Sequence, residues 1–538
     1  MKLSLEGIGE KSAWESKGYH LPAYDVNEVK ANTDKAPRWV HFGAGNIFRA
    51  YHARLAQELI EKGSMDTGII VAEGFDYEII DKAYKPFDNL SILAILKSDG
   101  KVEKQVIASV SKSVKLDTGV QDDYSYLKSA FENNSLQFAT FTITEKGYSL
   151  KGPDGQFTKA VSEDMANGPE KPVSYIGKVA ALLYARYAAG RYPIAMVSTD
   201  NCSHNGQKLF DAIHEFAVKW SKNGKADKGF LEYVEDKASV SFPWSMIDKI
   251  TPRPDDSVKD MIAADGVEDP EPVITGFHTY VAPFVNAEES EYLVIEDDFP
   301  NGRPSLEEAG VIFTSRDTVN NVERMKVTTC LNPLHTSLAV YGCLLGFTRI
   351  SEEMKDADLS KLVDTVGYKE GLPVVTDPGV ISPTEFIDTV VGKRLPNPFM
   401  PDTPQRIACD TSQKIPIRFG ETIKSYYYST ERDVNDLTFI PLAIAAWLRY
   451  LLGIDDNGKT MEVSSDPQLQ DLQDKLSGIV YNDVSTYNGQ IKDILANENI
   501  FAINLVEAGL SDKIENMFKE MLKEGAVRST LHKYVEML

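Results

Sequence analysis

The sequence predicts an α/β protein: a Rossmann-like domain with a parallel-rich sheet, followed by a mostly α-helical domain. Three observations carry this. "RWVHFGAGNIFRAYHARLAQELIEKG" reads as strand, glycine turn and amphipathic helix, and "TGIIVAEGF" follows as a second apolar strand. That order is a βαβ unit, which requires parallel pairing. At 538 residues the chain exceeds one ordinary core, so two or three domains are expected. Beyond Val311 the apolar spacing becomes mainly helical.

Taken in order, a polar leader with two short turns precedes the strand of residues 38–43. The helix after it closes at Gly63, a suitable C-cap. "LQFATFTITEKGY" (136–148) and "YPIAMVSTDN" (192–201) repeat the strand pattern, each after a helical stretch. Past "VIFTSRD" come three helical stretches, "LHTSLAVYGCLLGF", "FIPLAIAAWLRYLLG" and "IENMFKEMLKEGAVRSTLHKYVEML". The expected domains are 1–317 and 318–538.

A formal net charge of -23 disfavours nucleic acid and anionic membranes as partners. Cys202, Cys330, Cys343 and Cys409 are scattered and form no CxxC. No disulfide framework and no metal site are expected, and a reducing cytoplasm suits such usage. The opening "MKLSLEGIGEKSAW" lacks an apolar signal core, and the longest apolar runs are too short to span a bilayer. A monomer or small homo-oligomer acting on a small molecule is expected.

Four constellations carry candidate chemistry. In "HFGAGNIFR", Gly43 and Gly45 lie between strand and helix, where a dinucleotide pyrophosphate needs close backbone approach and a helix N-terminus. Phe48 replaces the third glycine of that fingerprint, and a tight βα turn explains the pair as well. The second strand ends at Glu73, with Asp76 three residues on; a carboxylate there can accept from ribose hydroxyls and repels a 2′-phosphate, which favours NAD over NADP. In "VSTDNCSHNGQ", Asp200 and Asn201 follow a strand at the active edge of an open sheet, although an Asx-rich turn accounts for them too.

The third is "MKVTTCLNPLHTSLAVYGCLLGF" (325–347), where Lys326, Asn332 and His335 stand at the mouth of an apolar run. Asn332 and His335 share a helix face. Lys326 does not, unless the helix is irregular. A one-residue π-type bulge would restore the facing, and Pro333 makes a disruption there expected. The plain alternative is a helix N-terminus capped by Asn332, with a solvated Lys326. The fourth is "DTPQRIACDTSQKIPIRFG", where Arg406 and Lys414 flank Asp410 and could hold hydroxyls or a carboxylate, or simply pair at the surface.

These segments, with "FPWSMIDKITP", "EYLVIEDDFPNGRP" and "NPFMPDTPQRIACDTSQK", occur together in one order over most of the chain. The chain resembles the polyol-specific long-chain dehydrogenase/reductase family, which contains mannitol 2-dehydrogenases, fructuronate (mannonate) reductases and tagaturonate reductases. The resemblance implies a metal-independent enzyme that uses NAD on a sugar acid or polyol. It implies cofactor contacts at Gly43, Gly45, Asn46, Glu73, Asp76, Thr144 and Glu145. The family's catalytic lysine matches Lys326, its Asn-x-x-His matches Asn332 and His335, and its glutamate linked to proton exit matches Glu323. The paired asparagine of the oxyanion hole matches Asn201. Asp200, Asp248, Arg406 and Lys414 fall at substrate-contacting positions.

Two departures stand out. Five residues, Val327 to Leu331, separate the lysine from the asparagine where the family usually has four, and "DKITP" puts Lys249 where the family has arginine. The expected chemistry is proton removal by Lys326 as hydride leaves carbon, with burial lowering the lysine pKa from about 10.4. The overall pattern looks closer to the uronate enzymes, so a fructuronate/mannonate pair is expected. Alternatives are a mannitol-type polyol enzyme, a tagaturonate reductase, or a nucleotide-binding sensor without catalysis. Lys249, Lys393 and Arg394 could add positive charge for a carboxylate substrate.

Overall fold

Short β-branched and aromatic runs that bury every residue become strands with both faces covered. Such are Trp39–Phe42 (β1) and Ile69–Glu73 (β2). The edge strand Val110–Lys115 (β3) leaves Lys112 exposed, while Phe138–Phe141 (β4), Ile194–Ser198 (β5) and Val240–Ser241 (β6) again bury every residue. In the computed structural model, which describes residues 1–538, these form one sheet ordered β3-β2-β1-β4-β5-β6, with every pair parallel. The order reverses between β1 and β4, and ligands bind open sheets outside the carboxyl ends of strands at such a reversal.

Strand periodicity splits the apolar residues between two cores. Val40, Phe42, Ile70, Ala72, Ala139 and Phe141 belong to one, and Trp39, Ile69, Val71, Phe138, Ala195 and Val197 to the other. Helices Ala53–Glu61 (α1), Gln121–Glu132 (α2), Tyr175–Gly190 (α3) and Asn205–Lys222 (α4) supply the covering layers. Gly63 follows α1 in the left-handed conformation, at φ +74°, as the C-terminal glycine signal requires.

The leader is more ordered than its composition predicts. It contains helix Val26–Lys35, capped by the Asp25 side chain, and only Val26, Val29 and Thr33 of that helix are buried. So narrow an apolar stripe gives little periodic signal in a sequence. A separate four-stranded mixed sheet is formed by Tyr19–His20, Val102–Ile107, Ser91–Leu96 and Phe284–Glu288, of which only the middle two fall between Rossmann strands in the chain.

The chain divides into two units, Met1–Lys97 with Lys101–Asn320, and Ser98–Gly100 with Asn321–Leu538. The division at Asn320 falls inside helix Arg316–Met325 (α5). The second unit is built on helices Asn332–Leu345 (α6), Phe439–Tyr450 (α7), Ser511–Glu520 (α8) and Ala526–Glu536 (α9). Every residue of α7 is buried, and α7 packs against α6 and α8. A helix apolar on all sides belongs at the centre of such a layer. No helix is long and apolar enough to cross a membrane.

Candidate active site

The glycine turn after β1 is built by two different demands. Gly43 sits at φ +104°, and a Cβ there would overlap the Thr142 carbonyl, so the fold itself requires glycine. Gly45 has no such need: a Cβ would meet no atom within 4 Å. Its bareness leaves the backbone open at the start of a helix that begins at Asn46, as a pyrophosphate requires. The residues present therefore fit a dinucleotide.

The two acidic residues expected to receive ribose differ in what they have left to offer. Glu73 is buried and accepts from the backbone N–H of Ala44 (2.8 Å), Phe75 (2.8 Å) and Asp76 (3.1 Å). It staples the glycine turn to the end of β2, and burial raises its pKa. Asp76 accepts the Thr275 hydroxyl on Oδ2 at 2.5 Å, while its Oδ1 has no partner. An acceptor without a donor is costly unless a ligand provides one.

Asp200 also has structural work. Its carboxylate accepts from Ile143 N (2.9 Å), Thr144 N (2.8 Å) and the Tyr148 hydroxyl (2.5 Å). These bonds hold Thr144 at φ +64°, a conformation seldom adopted without such support. Burial raises the Asp200 pKa. Asn201, the next residue, is exposed beyond the carboxyl end of β5. Glu145 is exposed and pairs with Lys208 at 2.6 Å. Asp248 is buried at the end of strand Ser245–Asp248. Lys249 donates to Glu291 and to the Glu288 carbonyl, both at 2.6 Å, with its side chain 2 % exposed. Its charge is matched by Glu291 inside the Rossmann unit, where the sequence had offered it as positive charge for a substrate.

In the helical unit the irregularity expected between Lys326 and His335 is present. Lys326–Cys330 forms a π turn, with Leu331 N donating to the Lys326 carbonyl at 3.1 Å. Leu331 breaks the helix at φ -133°, and α6 restarts with Asn332 in its first turn and Pro333 at the next residue, where a missing N–H costs nothing. Leu331, not Asn332, holds the N-cap position. The wider turn takes up the additional residue between lysine and asparagine. Lys326 is buried, and Glu323 precedes it by three residues on α5, half-buried.

His335 lies on α6 with Nε2 buried and without a hydrogen-bond partner; the Asp402 carboxylate is 3.6 Å away, beyond bonding distance. Burial pushes the imidazole down to about 4 against the pull of Asp402, and Arg394, Arg418 and Arg406 push the same way as burial. His335 is therefore neutral at physiological pH. Arg406 pairs with Asp402 and leaves its own side chain 60 % exposed. Lys414 donates to the carbonyls of Ile407 (3.2 Å) and Cys409, and burial lowers its pKa, with Arg418 adding to the effect. Arg418 donates to the Thr336 hydroxyl at 2.7 Å.

Asp402 and Arg418 thus join the residues expected from the sequence, and Arg394, expected there as a source of positive charge, acts on His335. Arg418 was legible by helical spacing, four residues after Lys414, whereas Asp402 lies outside the helix Pro404–Ile407 that carries Arg406. No group of three or more His, Cys, Asp or Glu side chains is arranged to hold a metal ion, and all four cysteines are free thiols.

The mannitol dehydrogenase Rossmann domain matches residues 37–308, and the mannitol dehydrogenase C-terminal domain matches residues 318–522. The chain belongs to the mannitol dehydrogenase family. Among relatives, the D-mannonate oxidoreductase of Thermotoga maritima is 52% identical over 538 residues, covering 99% of both chains. Among solved structures, a substrate-free D-sorbitol dehydrogenase aligns with a TM-score of 0.76 at 26% identity, covering 96% of this chain and 97% of that one. A Pseudomonas fluorescens mannitol 2-dehydrogenase ternary complex with NAD and D-mannitol aligns over 100% of both chains, with a TM-score of 0.68 and 26% identity. Membership in the mannitol dehydrogenase family makes the chain an oxidoreductase of sugar acids or polyols, with a Rossmann domain and a helical C-terminal domain.

Proposed function

We propose that this protein is an NAD-dependent oxidoreductase that interconverts D-mannonate and D-fructuronate. The observation that carries the reading is the full-length likeness to a D-mannonate oxidoreductase at 52% identity. Arg418, which acts electrostatically on His335 and bonds to a neutral hydroxyl, suits a carboxylate-bearing substrate in a chain of charge -23. Four free cysteines suit action in a reducing cytoplasm.

Gly43, Gly45 and Asn46 would hold the cofactor pyrophosphate at the turn after β1, and Thr144 and Glu145 would contribute further contacts. Asp76 would accept from the ribose hydroxyls on its unpartnered oxygen, and Glu73 shapes the turn. When bound, NAD would supply the hydride acceptor for alcohol oxidation and, in its reduced form, the hydride donor for the reverse direction. Lys326 takes the hydroxyl proton during oxidation, and as an ammonium returns it during reduction. Asn201 and Asn332 donate to the oxygen as it gains negative charge. His335, neutral and with Nε2 unpartnered, orients the same oxygen. Glu323 passes the lysine proton outward. Asp248, Arg406 and Lys414 hold the remaining hydroxyls, while Asp200 fixes the loop that presents Asn201.

A second reading, a mannitol-type polyol oxidoreductase, is favoured by the full-length likeness to the mannitol 2-dehydrogenase complex. Steady-state kinetics separate the two. Fructuronate, tagaturonate and fructose are compared with NADH, and the best substrate is repeated with NADPH. Fructuronate with NADH is expected to give the highest kcat/KM. Fructose as the best substrate would establish the second reading instead, and equal efficiency with NADPH would remove Asp76 from the ribose role.

A further inference from the structure

Arg418 is a charge in need of a partner. Its guanidinium is largely withdrawn from water, and burial alone pushes its pKa down to about 10. Its hydrogen bond goes to a neutral group, the Thr336 hydroxyl at 2.7 Å, and no carboxylate pairs with it. Arg406, by contrast, is matched by Asp402. Lys414, one helical turn before Arg418, feels it as a repulsion. Removing a guanidinium from water beside other cations is unfavourable unless an anion completes the arrangement.

The position of this charge is also informative. Arg418 lies on the π turn Pro416–Gly420, which packs against both the Lys326–Cys330 turn and α6. Thr336, which anchors the guanidinium, is the residue after His335. The orphan cation therefore belongs to the same wall as the lysine and the imidazole, and His335 Nε2 beside it is also without a partner. A guanidinium presents parallel N–H groups that match the two oxygens of a carboxylate. In mannonate, three carbons lie between the carboxylate and the carbon that is oxidised. One molecule can thus reach two neighbouring groups of the wall.

We infer that Arg418 binds the substrate carboxylate and is the residue by which this enzyme prefers a hexuronate to a neutral ketose, an inference that rests on the mannonate/fructuronate reading above. Arg406 is less suited to the task, because Asp402 already neutralises it and its side chain is mostly in water.

The test compares parent, Arg418→Gln and Arg418→Lys on fructuronate and on fructose, with NADH saturating. Losing a charge-assisted hydrogen bond to a carboxylate costs about 10- to 100-fold in kcat/KM. That loss is expected for Arg418→Gln on fructuronate, mainly through KM. Fructose reduction should stay within about threefold, and Arg418→Lys should recover part of the fructuronate loss. Equal losses on both substrates, or no loss on fructuronate, would overturn the inference while leaving the parent's preference for fructuronate intact. Unfolding of both variants would also overturn it, by making Arg418 part of the packing. A parent that reduces fructose better than fructuronate refutes the uronate reading itself, whatever the variants do.

Discussion

Glu353→Gln should change how stability depends on pH. Glu353 ends the short helix Ile350–Glu353 and is 0 % exposed, and neither carboxyl oxygen has a hydrogen-bond partner. It lies against the wall of the candidate site: a Cβ on Gly342 of α6 would overlap its Oε1 and approach Pro404. Burial, with Asp356 adding to it, lifts the carboxyl from 4.5 to about 9. The native state therefore keeps a proton that the unfolded chain releases above pH 4.5. The stability from this group is complete below pH 4.5, declines as pH rises, and is lost by about pH 9. Within that window each pH unit removes about 1.4 kcal/mol, so pH 5.5 to 8.5 removes about 4 kcal/mol. Glutamine has nearly the same shape and no proton to lose. Its second N–H adds a cost that does not vary with pH. Thermal unfolding of parent and variant at half-unit steps of pH reads the difference. At about 2–4 °C per kcal/mol for a unit of this size, the Tm gap should move by about 8–16 °C in favour of glutamine across the window. Parallel Tm profiles would show that Glu353 is ionised in the native state and refute the argument.

Lys326→Ala should lower turnover by about 10²–10⁴-fold with NADH affinity within threefold of the parent, and a variant that keeps a third of parental turnover would remove Lys326 from the proton-transfer role. Gly45→Ala should fold with an unchanged Tm, because its Cβ meets no protein atom, yet bind NADH at least about tenfold more weakly by calorimetry. Gly43→Ala should instead lose stability, because φ +104° and the Thr142 carbonyl leave its Cβ no room. Undiminished NADH affinity in Gly45→Ala would place the pyrophosphate elsewhere.

Much of this protein was legible in its sequence because the relevant physics is local. Strands β1 and β2 announce themselves as short apolar runs, and the glycine turn after β1 marks the first βα junction. The additional residue between Lys326 and Asn332, with Pro333 beside it, predicted a break in the helix, because helical phase depends only on residue count, and the π turn supplies it. Motif order alone pointed to the family that the two domain matches show.

What only the tertiary structure decided is which polar groups are already satisfied. Glu73 and Asp76 look alike in sequence, but three backbone donors claim Glu73 while Asp76 keeps an oxygen without a partner. Lys249 looked available for a substrate until the fold paired it with Glu291. Spacing puts Arg418 one turn after Lys414, but only burial showed it left with a threonine and no carboxylate. Helix and strand follow from neighbours a few residues apart. The partner of a charge is set by segments tens to hundreds of residues away, and a single sequence carries no local signal of who will arrive.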